Sequence, residues 1–204
     1  MNNPKTAIIL GAGGHAKSLT SIIELMDYKI ISYFDPNRDD KSLFGIMIRK
    51  NYNPKILKDS FLFIGIGDNH KRKALTNRLG HKVAQAIHPF CFIDKTAILG
   101  EGVQIFPGVV INKNTMIGEH TIINSNSTIE HDVVVGSFAH IAPGSVVCGA
   151  VTIGDETLIG ANSTILPNCK IGKNVIIGAG STIISSVPDN STVIGSPGKY
   201  LNKN

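Results

Sequence analysis

The chain of 204 residues has no tryptophan, only 3 cysteines, and an aromatic content of 6%. A surface built to stack nucleic-acid bases needs aromatic platforms. The basic residues are dispersed, apart from the short run His70-Lys71-Arg72-Lys73. The net charge of +5 therefore fits small polyanions such as nucleotides or coenzyme A rather than a nucleic acid. An odd cysteine count (Cys91, Cys148, Cys169) rules out a fully paired disulfide framework and fits a reduced cytoplasm. No apolar run approaches the roughly 20 residues of a membrane span. Met1 to Leu10 lacks a signal-peptide layout, so the expectation is a soluble cytoplasmic protein with no membrane contact.

What the sequence does have is a period. From Ile93 an aliphatic residue stands at every sixth position: Ile93, Leu99, Ile105, Ile111, Ile117, Ile123, Ile129, Val135, Ile141, Val147, Ile153, Ile159, Ile165, Ile171, Ile177 and Ile183. Neither helices nor hairpins sustain such a period, whereas a solenoid with one short strand and one corner per hexad does. The fifth place of each hexad is small or β-branched, as at Val103, Thr121, Ser127, Ser145 and Ser163, which suits a narrow prism with one bulky and one small inward residue per face. The second place is often Gly or Asn, as at Gly100, Asn112, Gly118, Asn124 and Gly136. There a sharp corner is expected to demand positive φ, which these residues tolerate best.

The first 90 residues read differently. Thr6 to Leu10 is an apolar strand running into Gly11-Ala12-Gly13-Gly14-His15-Ala16, and a helical pattern follows through Leu19, Ile22, Ile23 and Met26. Unpaired N–H groups and the helix dipole make such a helix start a phosphate site. A second strand, Lys29 to Phe34, ends in Asp35, where a Rossmann-type unit places an acid near a ribose or base. A strand from Phe61 to Gly67, a helix from about His70 and a strand from Val83 to Ile87 complete half of a dinucleotide fold, with room for a mononucleotide. The resulting division is 1–90 as a Rossmann-like α/β nucleotide-binding half-domain, 91–190 as the solenoid, and 191–204 as a C-terminal tail.

One stretch of the solenoid concentrates reactive groups: Asn124-Ser125-Asn126-Ser127-Thr128-Ile129-Glu130-His131-Asp132, followed by His140. His131 occupies an outward third place between two carboxylates. A carboxylate accepting its imidazole N–H would orient the ring and raise its basicity, as a general base near neutral pH requires. The γ-class carbonic anhydrases, which this chain resembles in its repeats, hold zinc through a close pair of ligands five residues apart; His120, His131 and His140 do not offer that spacing, so no metal is expected.

The [LIV]-[GN]-x-x-[small]-x repeat resembles that of the hexapeptide-repeat acyltransferases. That resemblance implies a left-handed parallel β-helix of roughly five coils and a homotrimer with clefts between protomers. Taken with GAGGHAK, Asp35, Gly67-Asp68-Asn69, Asn124, Glu130-His131-Asp132 and the closing Gly195-Ser196-Pro197-Gly198-Lys199, the whole chain resembles the sialic-acid O-acetyltransferase type. That type has PglD-like relatives that N-acetylate nucleotide-linked 4-amino-6-deoxy sugars in surface-glycan synthesis. Its closing motif usually reads G-x-P-A-K, so Gly198 is a small departure.

The resemblance implies acetyl-CoA as co-substrate and His131 as proton acceptor, with Asp132 or Glu130 raising its basicity. His140 and Gly149 would meet the acetyl end of the coenzyme, and Ala161 and Ala179 would line its pantetheine track. Gly13, Gly14, His15 and Asp35 would hold the nucleotide, with Asn124 near the sugar. A glycine turn suited to phosphate favours a nucleotide-linked amine as acceptor over a sialic-acid-type hydroxyl, the alternative. A purely structural rod would need neither the charged triplet nor the nucleotide-type domain.

Overall fold

Alternating apolar stretches and hexads give rise to two separate units in the computed structural model, Met1–Pro89 and Phe90–Asn204. Residues 5–53, 59–79 and 82–201 are described, so the first four residues and residues 202–204 of the expected tail lie outside them.

In the first unit, β1 (Lys5–Leu10) leads through a glycine turn into α1 (Gly14–Leu25) and back into β2 (Tyr28–Phe34). The hairpin strands β3 (Ser42–Leu43) and β4 (Ile46–Arg49) follow, then β5 (Phe61–Ile64) and α2 (Asn69–Thr76). The sheet order is β3-β4-β2-β1-β5. The β1–β2, β1–β5 and β2–β4 pairs are parallel and β3–β4 is antiparallel. Val83 adds one parallel bridge to Leu62. Parallel strands flanked by a helix must be apolar on both faces, and Ala7 to Leu10 are accordingly all buried. The central strands thus end together at the turn that follows β1.

In the second unit each hexad forms a two-residue strand, from Phe92–Ile93 through Thr182–Ile183. Val110 pairs with Thr128 and Thr128 with Val146, in parallel and 18 residues apart, so three hexads make one coil and the coils stack into three faces. One face runs through Thr128–Ile129, the next through Val134–Val135, and the third through His140–Ile141. The third face continues beyond the hexads into Thr192–Ile194 and the antiparallel Lys199–Tyr200.

From Val103 to Val187, every first- and fifth-place residue is buried. The buried hydroxyls among them are satisfied by a repeated bond. Thr121 donates to the carbonyl of Gly136, Ser127 to Ala142, Ser145 to Gly160 and Ser163 to Gly178, at 2.7, 3.0, 2.9 and 2.9 Å. An unpaired buried hydroxyl would cost about 1–3 kcal/mol, so each of these four hydroxyls also ties one coil to the next.

The corners differ from the sequence expectation. Positive φ falls at the fourth place of the hexad, at Asn114, Asn126, Asp132, Asn162, Asn168 and Asn174 among others, and at Gly108 and Gly144. The second-place glycines have ordinary φ and serve a different need. A Cβ on Gly154 would lie 2.6 Å from both Gly172 C and Lys173 N, and one on Gly118 would lie 2.6 Å from Gly136 C and Ser137 N. Glycine at this corner lets successive backbones touch.

Gly154→Ala should therefore cost about 3 kcal/mol, the upper end for overpacking. Gly180→Ala, with φ +68° but nothing within 4 Å, should cost about 1 kcal/mol for left-handed strain alone. Urea unfolding of the two variants checks the order, and equal costs would contradict it.

Candidate active site

The residues singled out from the sequence fall into three groups. In the first unit, Gly13, Gly14, His15 and Asp35 together line a cavity of 770 Å³, beside Phe34, Tyr52, Lys50, Lys71 and Arg78. This is within the size range of small-ligand pockets. Gly11, at φ +101°, lies so close to β5 that a Cβ would come within 2.8 Å of the Gly65 carbonyl oxygen. The chain then enters α1 at Gly13, with no capping side chain and no acidic residue in the first turn, so nothing on the helix itself neutralises its positive end at the cavity. Gly13 itself is extended at φ −83°, and a Cβ there would meet nothing within 4 Å.

Asp35 lines the cavity but also braces the turn. Its Oδ2 accepts the Ala12 N–H at 2.9 Å and its Oδ1 the Asn37 N–H at 3.0 Å. Arg72 was not singled out from the sequence, where it sits in the basic run. It is fully buried and donates to the carbonyls of Ile66 (3.2 Å) and Gly67 (3.0 Å) and to Asn69 Oδ1 (2.9 Å). Burial pulls its pKa down to about 10, opposed by the charge of Asp68. Arg72 therefore holds the loop that forms one cavity wall.

The second group sits on the corner after Thr128–Ile129. His131 is 61% exposed in its side chain, and its Nδ1 lies 2.8 Å from Asp132 Oδ2. Asp132 Oδ1 accepts a second bond from Asn114 Nδ2 at 3.1 Å. These bonds, first from His131 and then from Asn114, hold the Asp132 carboxyl below the ordinary carboxylate range. An ionised Asp132 can only accept, so His131 Nδ1 carries the proton and Nε2 is left as an acceptor.

Glu130 turns elsewhere, accepting from Asn112 Nδ2 at 3.0 Å. Of the two flanking carboxylates, Asp132 is the one on the ring. Gly149, one coil on, lies against the ring: a Cβ there would fall 2.7 Å from His131 Cε1 and Nε2. Cys148 beside it is held protonated by burial and by the charge of Glu130, which makes it a poor nucleophile.

The third group lies around the corner after His140–Ile141. Asn124 Nδ2 donates to His140 Nε2 at 3.1 Å, and Asn124 Oδ1 accepts the Ser125 N–H at 2.8 Å. Ala161 and Ala179 stack on this corner 18 residues apart, and the Gly180 N–H donates to the Ala161 carbonyl at 2.8 Å. Within one chain His140 and Gly149 are thus on different faces of the prism rather than side by side. Among the described residues no group of three or more His, Cys, Asp or Glu side chains is placed to hold a metal ion. None of the described helices is long and apolar enough to cross a membrane.

Comparison with known proteins follows this division. A family model described as the PglD N-terminal domain matches residues 6–79. The bacterial transferase hexapeptide (six repeats) matches residues 96–131, 114–149 and 150–185. A variant of perosamine N-acetyltransferase from Caulobacter crescentus, solved with CoA and GDP-perosamine, is 30% identical with a TM-score of 0.91, covering 97% of each chain. The acetyltransferase domain of PglB from Neisseria gonorrhoeae, solved with acetyl coenzyme A, is 28% identical with a TM-score of 0.89. That match covers 98% of this chain and 100% of that domain.

The class defined by fold and repeats is the hexapeptide-repeat acyltransferase, an α/β unit followed by a left-handed parallel β-helix. Within that class, the chain belongs to the family of PglD-like sugar N-acetyltransferases.

Replacing Arg72 by Met removes three donors and leaves the Ile66 and Gly67 carbonyls unpaired. It should cost the first unit about 3 kcal/mol, and a chemical unfolding curve that separates the two units measures it. A loss below about 1 kcal/mol would mean that water replaces the guanidinium.

Proposed function

We propose that the protein transfers the acetyl group of acetyl-CoA directly to the amino group of a nucleotide-linked amino sugar, with His131 as general base. The observation that carries this reading is the His131–Asp132 pair, with Nδ1 committed to the carboxylate at 2.8 Å and Nε2 directed past the side-chain-free Gly149.

As the acceptor nitrogen attacks the thioester carbon, a C–N bond forms and one N–H proton passes to Nε2. When the C–S bond breaks, His131 returns that proton to the leaving sulfur, so the amide and the free thiol form with the enzyme unchanged. The developing oxyanion needs a donor, a role this reading gives to the Gly149 N–H, since the Cys148 and Ala150 N–H groups beside it donate to the carbonyls of Ile165 and His131. The protonated Cys148 argues against an acyl-enzyme.

The acetyl-CoA fits the remaining residues. Ala161 and Ala179 project little from their corner and suit a pantetheine track, with His140 toward its acetyl end. The 770 Å³ cavity suits a nucleoside diphosphate, its phosphates on the α1 start at Gly13 and Gly14 beside His15 and its nucleoside toward Asp35. Asn124, fixed by Ser125, belongs near the sugar.

Gly149 and His140 occupy different faces of one prism, so the reading completes the site with a second protomer. A threefold homotrimer places one such corner against the other in three clefts, and the exposed outward stripe Ile98, Met116 and Val134 supplies apolar surface for contact. The three free cysteines fit a cytoplasmic site in surface-glycan synthesis. The N-acetyltransferase reading is preferred to sialic-acid O-acetylation because the related perosamine enzyme is an N-acetyltransferase bound to a GDP-linked sugar.

His131→Ala should lower kcat about 10²- to 10⁴-fold with coenzyme KM little changed, measured as thiol release from acetyl-CoA. A near-normal kcat would mean that the amine arrives unprotonated and the site works by positioning alone. Gly13→Val extends into open cavity space, so its Tm should stay at the wild-type value. Its acceptor KM should rise about tenfold or more, each factor of ten being about 1.4 kcal/mol. Normal acceptor KM in the folded variant, or a free sialic acid as the better substrate, would favour O-acetylation.

A further inference from the structure

A line of hydrogen bonds climbs one corner of the solenoid and ends on His131. Thr96 donates from its Oγ1 (2.7 Å) and its N–H (2.9 Å) to Asp94 Oδ1. Asn114, one coil on, donates its backbone N–H to Thr96 Oγ1 at 2.9 Å. Its side-chain Nδ2 donates to Asp132 Oδ1 at 3.1 Å, and Asp132 Oδ2 receives the His131 Nδ1 proton at 2.8 Å. Asn114 and Asp132 share the left-handed fourth place, with φ of 58° and 61°, and so stack in register. The same place one coil beyond Asp132 is Ala150, whose side chain offers no donor.

We infer that Asn114 is a positioning residue, one that fixes the Asp132 carboxylate so that its second oxygen holds His131 in the Nδ1–H tautomer. This rests on the reading of His131 as the base. The side chain of Asp132 is 53% exposed, so water competes for it, and a carboxylate anchored at one oxygen only can swing about its own axis. With Asn114 on Oδ1, the two oxygens are no longer equivalent and Oδ2 faces the ring. Asn114 is itself held through its backbone by Thr96, which fixes the point from which its amide reaches the carboxylate. The role differs from general packing because it acts on which ring nitrogen carries the proton.

The test is a pair of measurements on Asn114→Gly, which removes the side chain and keeps the left-handed backbone unstrained. ¹⁵N NMR of histidine-labelled protein should find His131 in the Nδ1–H form in the wild type and in a mixture of both tautomers in the variant. The kcat should fall about tenfold, with both KM values unchanged, at the low end of what residues that orient a functional imidazole contribute. Asn114→Ala should give the same result, since Ala150 holds the same place with a φ of 58°.

Unchanged ¹⁵N shifts in both variants overturn the positioning role, as does a tautomer change with unaltered kcat. His131→Ala assayed alongside separates the two claims. Undiminished kcat there overturns the base, whereas a collapsed kcat there with wild-type tautomer in the Asn114 variants overturns Asn114 alone.

Discussion

Close stacking of successive coils is the constraint on which the solenoid and its chemistry depend. The second-place glycines bring backbones together until a single added carbon would sit 2.6 Å from the next coil. That contact holds each residue above its counterpart 18 positions away, and the buried Thr and Ser hydroxyls reinforce it by bonding to the carbonyls of the next coil. Chemistry on such a scaffold is built from columns. Gly149 stands over His131, Asp132 over Asn114, and Glu130 over Asn112, so each side chain is oriented by residues that are remote in sequence and adjacent in register.

Much of the fold was legible because burial imposes a period. The first and fifth places of the hexads are inward as their residue types require, and strand, glycine turn and helix after Leu10 follow from apolar runs and spacing. The corners were misread at one place. Glycine and asparagine signal both positive φ and close approach, and the sequence assigned positive φ to the second place when it belongs to the fourth. Asparagine recurs at that fourth place in Asn114, Asn126, Asn162, Asn168 and Asn174, a signal that was available and overlooked. The stretch expected to be a tail contributes Thr192–Ile194 to a solenoid face, since its apolar residues no longer keep the hexad spacing that marked the others.

The site was legible in its residue types and less so in its partnerships. Neighbours in sequence made His131 a candidate base, but they left Glu130 and Asp132 equivalent. The choice falls to Asp132 because the fourth place points its carboxylate back to the ring while Glu130 stacks on Asn112. Asn114 escaped notice because its link to Asp132 spans 18 residues. Arg72 escaped because a guanidinium in a run of basic residues reads as solvated, whereas here two loop carbonyls and the Asn69 side chain at the start of α2 compensate its burial. The faces of a prism also separate Gly149 from His140, which hexad counting alone did not.

The central claim is direct acetyl transfer from acetyl-CoA to a nucleotide-linked amine. It is tested most directly by incubating the protein with ¹³C-acetyl-CoA and GDP-, UDP- and dTDP-linked 4-amino-6-deoxy sugars and examining the product by ¹³C NMR and mass spectrometry. The account predicts one added acetyl group per nucleotide sugar, with an amide carbonyl that survives hydroxylamine. A hydroxylamine-labile ester, or transfer only to free sugars, would contradict it.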